Sequence, residues 1–258
     1  MILRERLNCR APKSTRNEHE IEDHVDWRLA RTRKSAVFAV ADGASEGPFT
    51  ARWAAALVKA ACRPHERRPS PFLVRWRNAT WERARPIHFN RATGQFEATL
   101  PVSLPWYQEL CLERGVAATF LVGRVDLCRH TLTVASVGDS LLAWWSPNGH
   151  VETFPFKHPD QFPRFPATVI YERGRALQHY PPLQPECYEY RIPVFLAVMT
   201  DALGLWFVQE LVNGGHPHEE LLACTADTFT AWVAEKRATG LLRDDDTTVL
   251  LLEVVPGG

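Results

Sequence analysis

The sequence predicts an α+β fold in which helices pack on antiparallel sheets, rather than a doubly wound parallel sheet. Short apolar runs typical of buried strands cluster in the middle of the chain and near both ends. Segments with a helical spacing of apolar residues are interleaved with these strands, as in layered α+β proteins. No internal repeat and no domain boundary is evident, so we predict one domain over residues 1–258.

The N-terminal part of the chain contains one clear strand and one clear helix. Residues 1–34 are polar, with a strand or turn around His24–Leu29. Ala36–Ala41 is apolar throughout, so Ser35–Ala41 predicts a buried strand. Phe49–Cys62 is rich in alanine, and its apolar residues recur at helical spacing, so it predicts a helix packed on a sheet.

The next segment is harder to interpret. Trp76–Arg85 favours a helix, and Ile87–Thr99 shows no period, so we expect it to be irregular. Pro105–Arg114 predicts a second long helix, because a proline stands near its start and Gly115 follows its end.

The middle of the chain predicts an antiparallel meander. Strands are expected at Ala117–Asp126, His130–Val137 and Leu141–Trp145, followed by a continuation at Val151–Phe154. The Ser-Pro-Asn-Gly stretch, Ser146–Gly149, is typical of the hairpin turn that joins the last two.

The C-terminal third predicts two strands and two helices after a proline-rich segment. Residues 155–187 show little periodicity, and we expect them to form an excursion over the surface, or a flap beside a site. Phe195–Thr200 predicts a buried strand, Ala202–Asn213 and Pro217–Thr239 predict helices, and Thr247–Val255 predicts the last strand.

Composition excludes several classes of protein. The 258 residues are 45% apolar and 23% charged, which is ordinary for a globular domain. The 30 basic and 30 acidic residues cancel, so broad nucleic-acid binding is not expected. The N-terminus carries charges where a signal peptide needs an apolar core, and no apolar stretch of about 18 residues exists. We therefore expect a cytoplasmic protein without a membrane span, with six reduced, structural cysteines that form no Cys-x-x-Cys pair.

Four acidic motifs abut predicted strands and carry the strongest functional signal. They read V-F-A-V-A-D-G-A (Val37–Ala44), V-A-S-V-G-D-S (Val134–Ser140), F-L-A-V-M-T-D-A-L (Phe195–Leu203) and R-D-D-D-T-T-V-L-L-L-E-V (Arg243–Val254). Carboxylates that converge at strand ends repel one another unless cations lie between them. Oxygen ligands in this arrangement are typical of a Mg²⁺ or Mn²⁺ site.

Each motif alone also has an ordinary explanation. Asp42-Gly43 and Gly138-Asp139 are typical of tight turns. Asp201 is well placed to begin a helix, and Asp244–Asp246 is typical of a solvated acidic turn. Their joint occurrence beside buried strands favours the metal site. His216-Pro217-His218 also offers metal ligands, although a plain loop is the favoured interpretation there.

The order of these motifs resembles that of the metal-dependent protein phosphatases of type 2C. Between Glu22 and Val254 the sequence reads D-G-A, G-V-A-A-T-F, V-G-D-S, M-T-D-A-L-G-L-W and D-D-T-T-V-L-L. It is closer to bacterial members with D-G-A-S-E than to eukaryotic ones with D-G-H-G-G. The resemblance implies a four-layer αββα sandwich, two antiparallel sheets flanked by helices, with metals at one end. It also implies hydrolysis of phosphoserine and phosphothreonine in protein substrates.

The resemblance further implies which residues hold the metals. Asp42 would bridge two Mn²⁺ or Mg²⁺ ions, and the Gly43 carbonyl would bind one of them. Asp201 and Asp245 would complete the other site, and Asp139 with Asp201 would form a weaker third. Asp42 and Asp201 would thus act in catalysis through metal-bound water.

Three residues upstream of Asp42 and two downstream of it complete the comparison with the type 2C family. Glu22 of the Glu22-Asp23 pair is expected to hold a metal-bound water, with Glu18 as the competing choice, and Arg16 is the candidate for gripping the substrate phosphate. Ala44 stands where eukaryotic relatives have a histidine, and Glu46 replaces a glycine.

Three functions therefore stay open at this point. The first is an active phosphoprotein phosphatase that uses Mn²⁺ or Mg²⁺. The second is a phosphatase-like regulatory or binding module with weak or no turnover, which the missing histidine motivates. The third is another two-metal hydrolase such as a nuclease, which the neutral net charge disfavours.

Overall fold

A computed structural model describes the chain over nine ranges, which contain fourteen strands and four α-helices. The described residues are 1–17, 20–44, 50–62, 87–90, 95–98, 116–147, 150–171, 186–190 and 194–256. The predicted helices Trp76–Arg85 and Pro105–Arg114, together with Glu18, Glu46, Asn148 and Gly149, lie outside them.

The strands are numbered in chain order. They are β1 (Ile2–Ala11), β2 (His24–Leu29), β3 (Ser35–Ala41), β4 (Ile87–Asn90), β5 (Gln95–Ala98), β6 (Val116–Ala118), β7 (Phe120–Asp126), β8 (Thr131–Val137), β9 (Leu141–Trp145), β10 (Glu152–Phe154), β11 (Val169–Tyr171), β12 (Glu186–Glu189), β13 (Val194–Met199) and β14 (Thr247–Val255). The helices are α1 (Thr50–Cys62), α2 (Asp201–Val212), α3 (Pro217–Ala223) and α4 (Ala226–Ala238), and Pro159–Gln161 forms a short 3₁₀ turn.

Two five-stranded antiparallel sheets form the centre of the molecule. The first sheet has the order β1-β14-β13-β9-β10 and the second has the order β12-β8-β7-β3-β2. Two smaller pairs, β11 with β6 and β4 with β5, are also antiparallel. Apolar side chains from both sheets meet between them, among them Phe38, Leu121, Leu142, Leu196 and Leu250.

Helices cover the outer face of each sheet, so the molecule has four layers. Helix α1 packs Trp53 and Leu57 against the second sheet. Helices α2, α3 and α4 pack on the first sheet through a cluster that includes Trp206 and Phe229. The predicted αββα sandwich is therefore confirmed. No helix among the described residues is both long and apolar enough to cross a bilayer.

One glycine is needed for the second sheet to pack. Gly123 on β7 pairs with Phe38 on β3. A Cβ atom at Gly123 would lie 2.1 Å from Cζ of Phe38, so the ring occupies the space that any other side chain would need.

Several predicted elements need correction. The polar N-terminus forms β1, a ten-residue strand that the sequence pattern does not reveal. Ile87–Thr99 is not irregular, because β4 and β5 pair within it. The helix predicted over Pro217–Thr239 is two helices that break at Cys224 and Thr225.

Part of the proline-rich segment 155–187, where a surface excursion or flap is expected, pairs with the rest of the fold. Within its described residues, β11 pairs with β6, and the carbonyl of Val169 accepts a hydrogen bond of 2.9 Å from the Trp53 indole. Val169 is fully buried, so this part belongs to the core. Of the described cysteines, which are all free, only Cys62 is buried.

Candidate metal centre

The strand register brings the acidic motifs to one end of the sandwich. In the second sheet, His24 at the start of β2 pairs with Ala41 at the end of β3, and Phe120 pairs with Val137. In the first sheet, Met199 at the end of β13 lies between Leu141 on β9 and Val249 on β14. Residues just outside these strand ends therefore share one edge of the molecule. They include Asp23, Asp42, Asp139, Asp201 and Asp245.

Asp42 and Gly43 lie in a turn that is fixed by its backbone. The Asp42 carbonyl accepts a hydrogen bond of 2.8 Å from the Thr119 amide, and Gly43 forms a bridge with Ala118. A Cβ atom on Gly43 would lie 2.9 Å from backbone and side-chain atoms of Thr50 and 3.1 Å from Cβ of Glu22. Only glycine therefore allows helix α1 to approach this closely.

Asp23 is the most deeply buried of these carboxylates, at 2% exposure. Its Oδ2 accepts a hydrogen bond of 2.8 Å from the Thr200 hydroxyl, which in turn accepts one of 3.1 Å from the Thr248 amide. Among the described residues, no group other than the neighbouring Asp42 carboxyl is available to its other oxygen, Oδ1. Residues from β2, β13 and β14 thus meet at this carboxylate.

Asp139 lies in the tight turn between β8 and β9. The turn needs Gly138, which has a φ of 103° and would place a Cβ atom 2.5 Å from Cβ of Thr119. Asp139 is 6% exposed, and its buried Oδ1 has no hydrogen-bond partner in the part of the chain that the structure describes. A buried carboxylate oxygen without a donor is costly unless a cation or water satisfies it.

Asp201 begins helix α2 directly after β13, as the sequence predicts. The residue is 8% exposed, and its Oδ2 accepts a hydrogen bond of 3.3 Å from Arg243. Arg243 is largely exposed, so it covers this carboxylate from the solvent side.

Asp245 lies on the turn that precedes β14 and is half-buried. Its Oδ1 accepts a hydrogen bond of 2.9 Å from the Asp246 amide. Its carbonyl accepts a hydrogen bond from Arg237, which also donates to the hydroxyl of Thr247 at 3.0 Å. Helix α4 therefore fixes the position of this turn.

Glu22 and Arg16 form the rim of the acidic cluster. The two oxygens of Glu22 accept hydrogen bonds of 2.5 Å from the Thr50 hydroxyl and from Arg16. Arg16 also lies 3.6 Å from Asp246. Glu22 lies at the cluster, and the competing Glu18 lies outside the described residues.

Burial and the closeness of like charges raise the pKa values of four of these carboxylates. Burial, and then the charges of Asp23 and Asp201, raise the pKa of Asp42 well above its ordinary value. Burial, and then the charge of Asp201, raise the pKa of Asp139 to about 7. Burial, and then the charge of Asp245, raise the pKa of Asp201. Burial also raises the pKa of Asp23 to about 7.

These residues fit a site for hard divalent cations. The donors are carboxylates and one backbone carbonyl, which are the ligands that Mg²⁺ and Mn²⁺ prefer. Two buried oxygens, on Asp23 and Asp139, lack partners, and the glycine at position 43 leaves its carbonyl side free of a Cβ. Mg²⁺ ordinarily keeps several waters, so the protein need not enclose each ion.

Comparison with solved structures gives the same fold. The Mycobacterium tuberculosis serine/threonine phosphatase PstP/Ppp is 14% identical over 99% of this chain and 100% of that chain, with a TM-score of 0.61. The catalytic domain of the phosphatase PstP in complex with two manganese ions is 16% identical, with coverage of 98% and 99% and a TM-score of 0.56. The photosystem II phosphatase PBCP is 16% identical, with the same coverages and a TM-score of 0.54.

The chain has the fold of the type 2C protein phosphatases. No protein-family model and no curated protein matches the sequence. At such low identity the structural likeness establishes the fold alone.

Within this type 2C fold, three residues at the cluster are not among the predicted site residues. Asp23 is adjacent to Glu22, and the acidic pair is the only sequence signal for it. Asp246 is 4% exposed, and its oxygens accept hydrogen bonds from the amides of Lys13 at 2.9 Å and Glu22 at 2.8 Å. Arg243 is a charged neighbour whose proximity to Asp201 depends on the tertiary structure alone.

Proposed function

We propose that this protein is a metal-dependent phosphatase that hydrolyses phosphoserine and phosphothreonine in protein substrates. The observation that carries the proposal is the convergence of Asp23, Asp42, Asp139, Asp201 and Asp245 at one end of a type 2C fold, with buried carboxylate oxygens left unpartnered. Buried carboxylates without partners lower the stability of the fold, but they are good ligands for a divalent cation.

The residues divide the ligand roles between them. Asp42 would bridge two Mn²⁺ or Mg²⁺ ions, with the Gly43 carbonyl on one side and Asp201 with Asp245 on the other. Asp139 would share a weaker third ion with Asp201. When bound, the ions lower the pKa of water and offset negative charge on the phosphoryl oxygens, so that water can attack phosphorus without a covalent enzyme intermediate.

The chain's own residues would position the reactants. Glu22 would orient water from the rim, because the Thr50 hydroxyl and Arg16 hold its carboxylate in place. Arg16 would bind the phosphoryl group of the substrate, since a guanidinium offers paired donors to phosphate oxygens. Ala44 cannot donate a proton, so water would have to protonate the leaving alkoxide.

The test is metal-dependent release of phosphate from a phosphothreonine peptide. Wild-type protein with Mn²⁺ or Mg²⁺ should release phosphate, and Asp42→Asn and Asp201→Asn should lose nearly all of this activity while remaining folded. Glu189→Gln, a change at an exposed position on β12, is the matched control and should retain activity.

Two results would overturn the proposal. Folded wild-type protein loaded with Mn²⁺ and no more active than Asp42→Asn would point instead to a regulatory or binding module. Hydrolysis of DNA or RNA, but not of phosphopeptides, under the same conditions would point to another two-metal hydrolase.

A further inference from the structure

A second group of potential metal ligands lies far from the acidic cluster. His216, His218 and Glu219 each offer a ligand atom, and these atoms all lie within 4.8 Å of one another. Among the described residues, this is the only group of three such side chains that is so compact. The carboxylates of the acidic cluster are more widely spread, as suits ions that keep water ligands.

Two of the three side chains have no competing hydrogen bond among the described residues. His216 is the residue that precedes helix α3, yet its side chain makes no capping hydrogen bond. Nδ1 of His218 is buried, and none of the residues that the structure describes forms a hydrogen bond with it. A buried ring nitrogen without a partner is unusual, because most buried polar atoms in folded proteins are satisfied.

The backbone holds the two imidazoles together. Pro217 separates the histidines and is buried, which limits the rotation of the chain between them. The two rings have centroids 5.8 Å apart, and the His218 ring also packs edge-on against Trp145 at 5.6 Å. The Glu219 amide donates a hydrogen bond of 3.0 Å to the His216 carbonyl, so the third ligand begins the same turn.

We propose that His216, His218 and Glu219 form a binding site for a transition-metal ion of the Zn²⁺ class. Two imidazoles and one carboxylate are a ligand set of mononuclear zinc sites, with a fourth position left for water. Imidazole nitrogen favours Zn²⁺, Co²⁺, Ni²⁺ and Cu²⁺ over Mg²⁺. His216 and Glu219 are exposed, so an ion can enter from solvent.

The site is separate from the candidate metal centre. Asp201 is the first residue of the twelve-residue helix α2, and the histidines follow its other end. At 1.5 Å per residue, the helix places roughly 18 Å between the two. Ligand type and position therefore predict two sites that select different metals.

The test is titration of the full-length protein with Co²⁺, with Mg²⁺ present throughout, followed by visible absorption and calorimetry. The wild-type protein should bind one equivalent of Co²⁺ more than His216→Ala does, and that equivalent should carry imidazole-type bands that Zn²⁺ displaces. Loss of an outer-shell partner already costs metal sites roughly 10–100-fold in affinity, so His218→Ala should weaken this event by at least about tenfold.

Two further variants keep the test decisive. His216→Ala removes an exposed ligand and should fold normally, so it replaces His218→Ala if the loss of contact with Trp145 unfolds the protein. His150→Ala removes an exposed histidine outside the cluster and should leave the binding event unchanged.

Either of two results would contradict the proposed site for a Zn²⁺-class ion. Persistence of the same Co²⁺ event in folded His216→Ala and His218→Ala would overturn the proposal, as would wild-type binding no tighter than that of an isolated surface histidine. Because the readout is direct metal binding, failure of this site leaves the phosphatase proposal untouched.

Discussion

Replacement of Asp139 by asparagine should stabilise the metal-free protein. Asp139 is 6% exposed, and burial with the nearby Asp201 raises its pKa from 3.8 to about 7. One pKa unit corresponds to about 1.4 kcal/mol, so keeping this carboxylate ionised above pH 7 costs the fold up to about 4 kcal/mol.

The net gain is smaller than this cost. Oδ1 of Asp139 has no hydrogen-bond partner, and an unpaired amide in its place would cost about 1–3 kcal/mol. We therefore expect Asp139→Asn to raise the free energy of unfolding by about 2 kcal/mol near pH 8 in the presence of a chelator.

The difference in the free energy of unfolding between Asp139→Asn and the wild type should also depend on pH. Below about pH 4 the carboxyl is protonated in both the folded and the unfolded chain, so the charge contributes no difference. Between about pH 4 and 7 the folded protein keeps a proton that the unfolded chain releases, so wild-type stability falls as pH rises. Asp139→Asn lacks this contribution, and its advantage should grow across that window and level off above it.

The assay is urea denaturation followed by tryptophan fluorescence, at several pH values, with chelator. The exposed Glu189→Gln serves as control and should change the free energy of unfolding by less than about 0.5 kcal/mol. A variant that is less stable than wild type near pH 8, or an advantage that does not depend on pH, would refute the reasoning.

Three other substitutions test separate parts of the structure. Asp246→Asn should destabilise the protein by about 1–3 kcal/mol, because both carboxylate oxygens accept backbone amides and an amide nitrogen cannot; a neutral effect in denaturation would contradict this. Arg243→Gln should tighten Mn²⁺ binding about fivefold by calorimetry, because a cation beside Asp201 repels a divalent ion by roughly 1 kcal/mol after salt screening; unchanged affinity would count against that position for the metal. Gly123→Ala should cost about 1–3 kcal/mol in thermal or urea unfolding, since its Cβ would meet the Phe38 ring at 2.1 Å, and wild-type stability would show that the sheet can shift.

The sequence predicts the fold where strands are buried on both faces. Ser35–Ala41, Leu141–Trp145 and Thr247–Val255 are mostly apolar, and each forms the expected strand. It does not predict β1, because most of that edge strand is exposed and its charged residues hide the alternation. The strand becomes recognisable only through its pairing with β14.

The break between α3 and α4 shows another limit. Neither glycine nor proline stands at Cys224 or Thr225, so a breaker-based prediction continues the helix. The structure begins a new helix after Thr225, whose amide donates a hydrogen bond of 2.9 Å to the Thr228 hydroxyl. Competition of threonine side chains for the backbone explains the break, and a Thr-x-x-Thr spacing is the sequence signal for it.

The candidate site was predictable where a carboxylate directly follows a strand. Asp42 and Asp201 follow β3 and β13, and strand register then places them at one edge. Asp23 and Arg243 could not be identified in this way, because their contacts with Thr200 and Asp201 span 177 and 42 residues. Such contacts follow from the packing of the two sheets, which no local pattern encodes.

The acidic residues at this edge divide by what their oxygens contact. Asp246 accepts hydrogen bonds from two backbone amides and so anchors the N-terminal segment to β14. Asp139 and Asp23 each keep a buried oxygen without a partner, which the fold alone gives no reason to tolerate. Neutralising an anchor should therefore weaken the protein, whereas neutralising Asp139 should strengthen it until a divalent cation is added. Changes of opposite sign in the free energy of unfolding, measured with chelator, would thus distinguish carboxylates that stabilise the fold from those that bind a metal ion. This distinction does not depend on any assay of turnover.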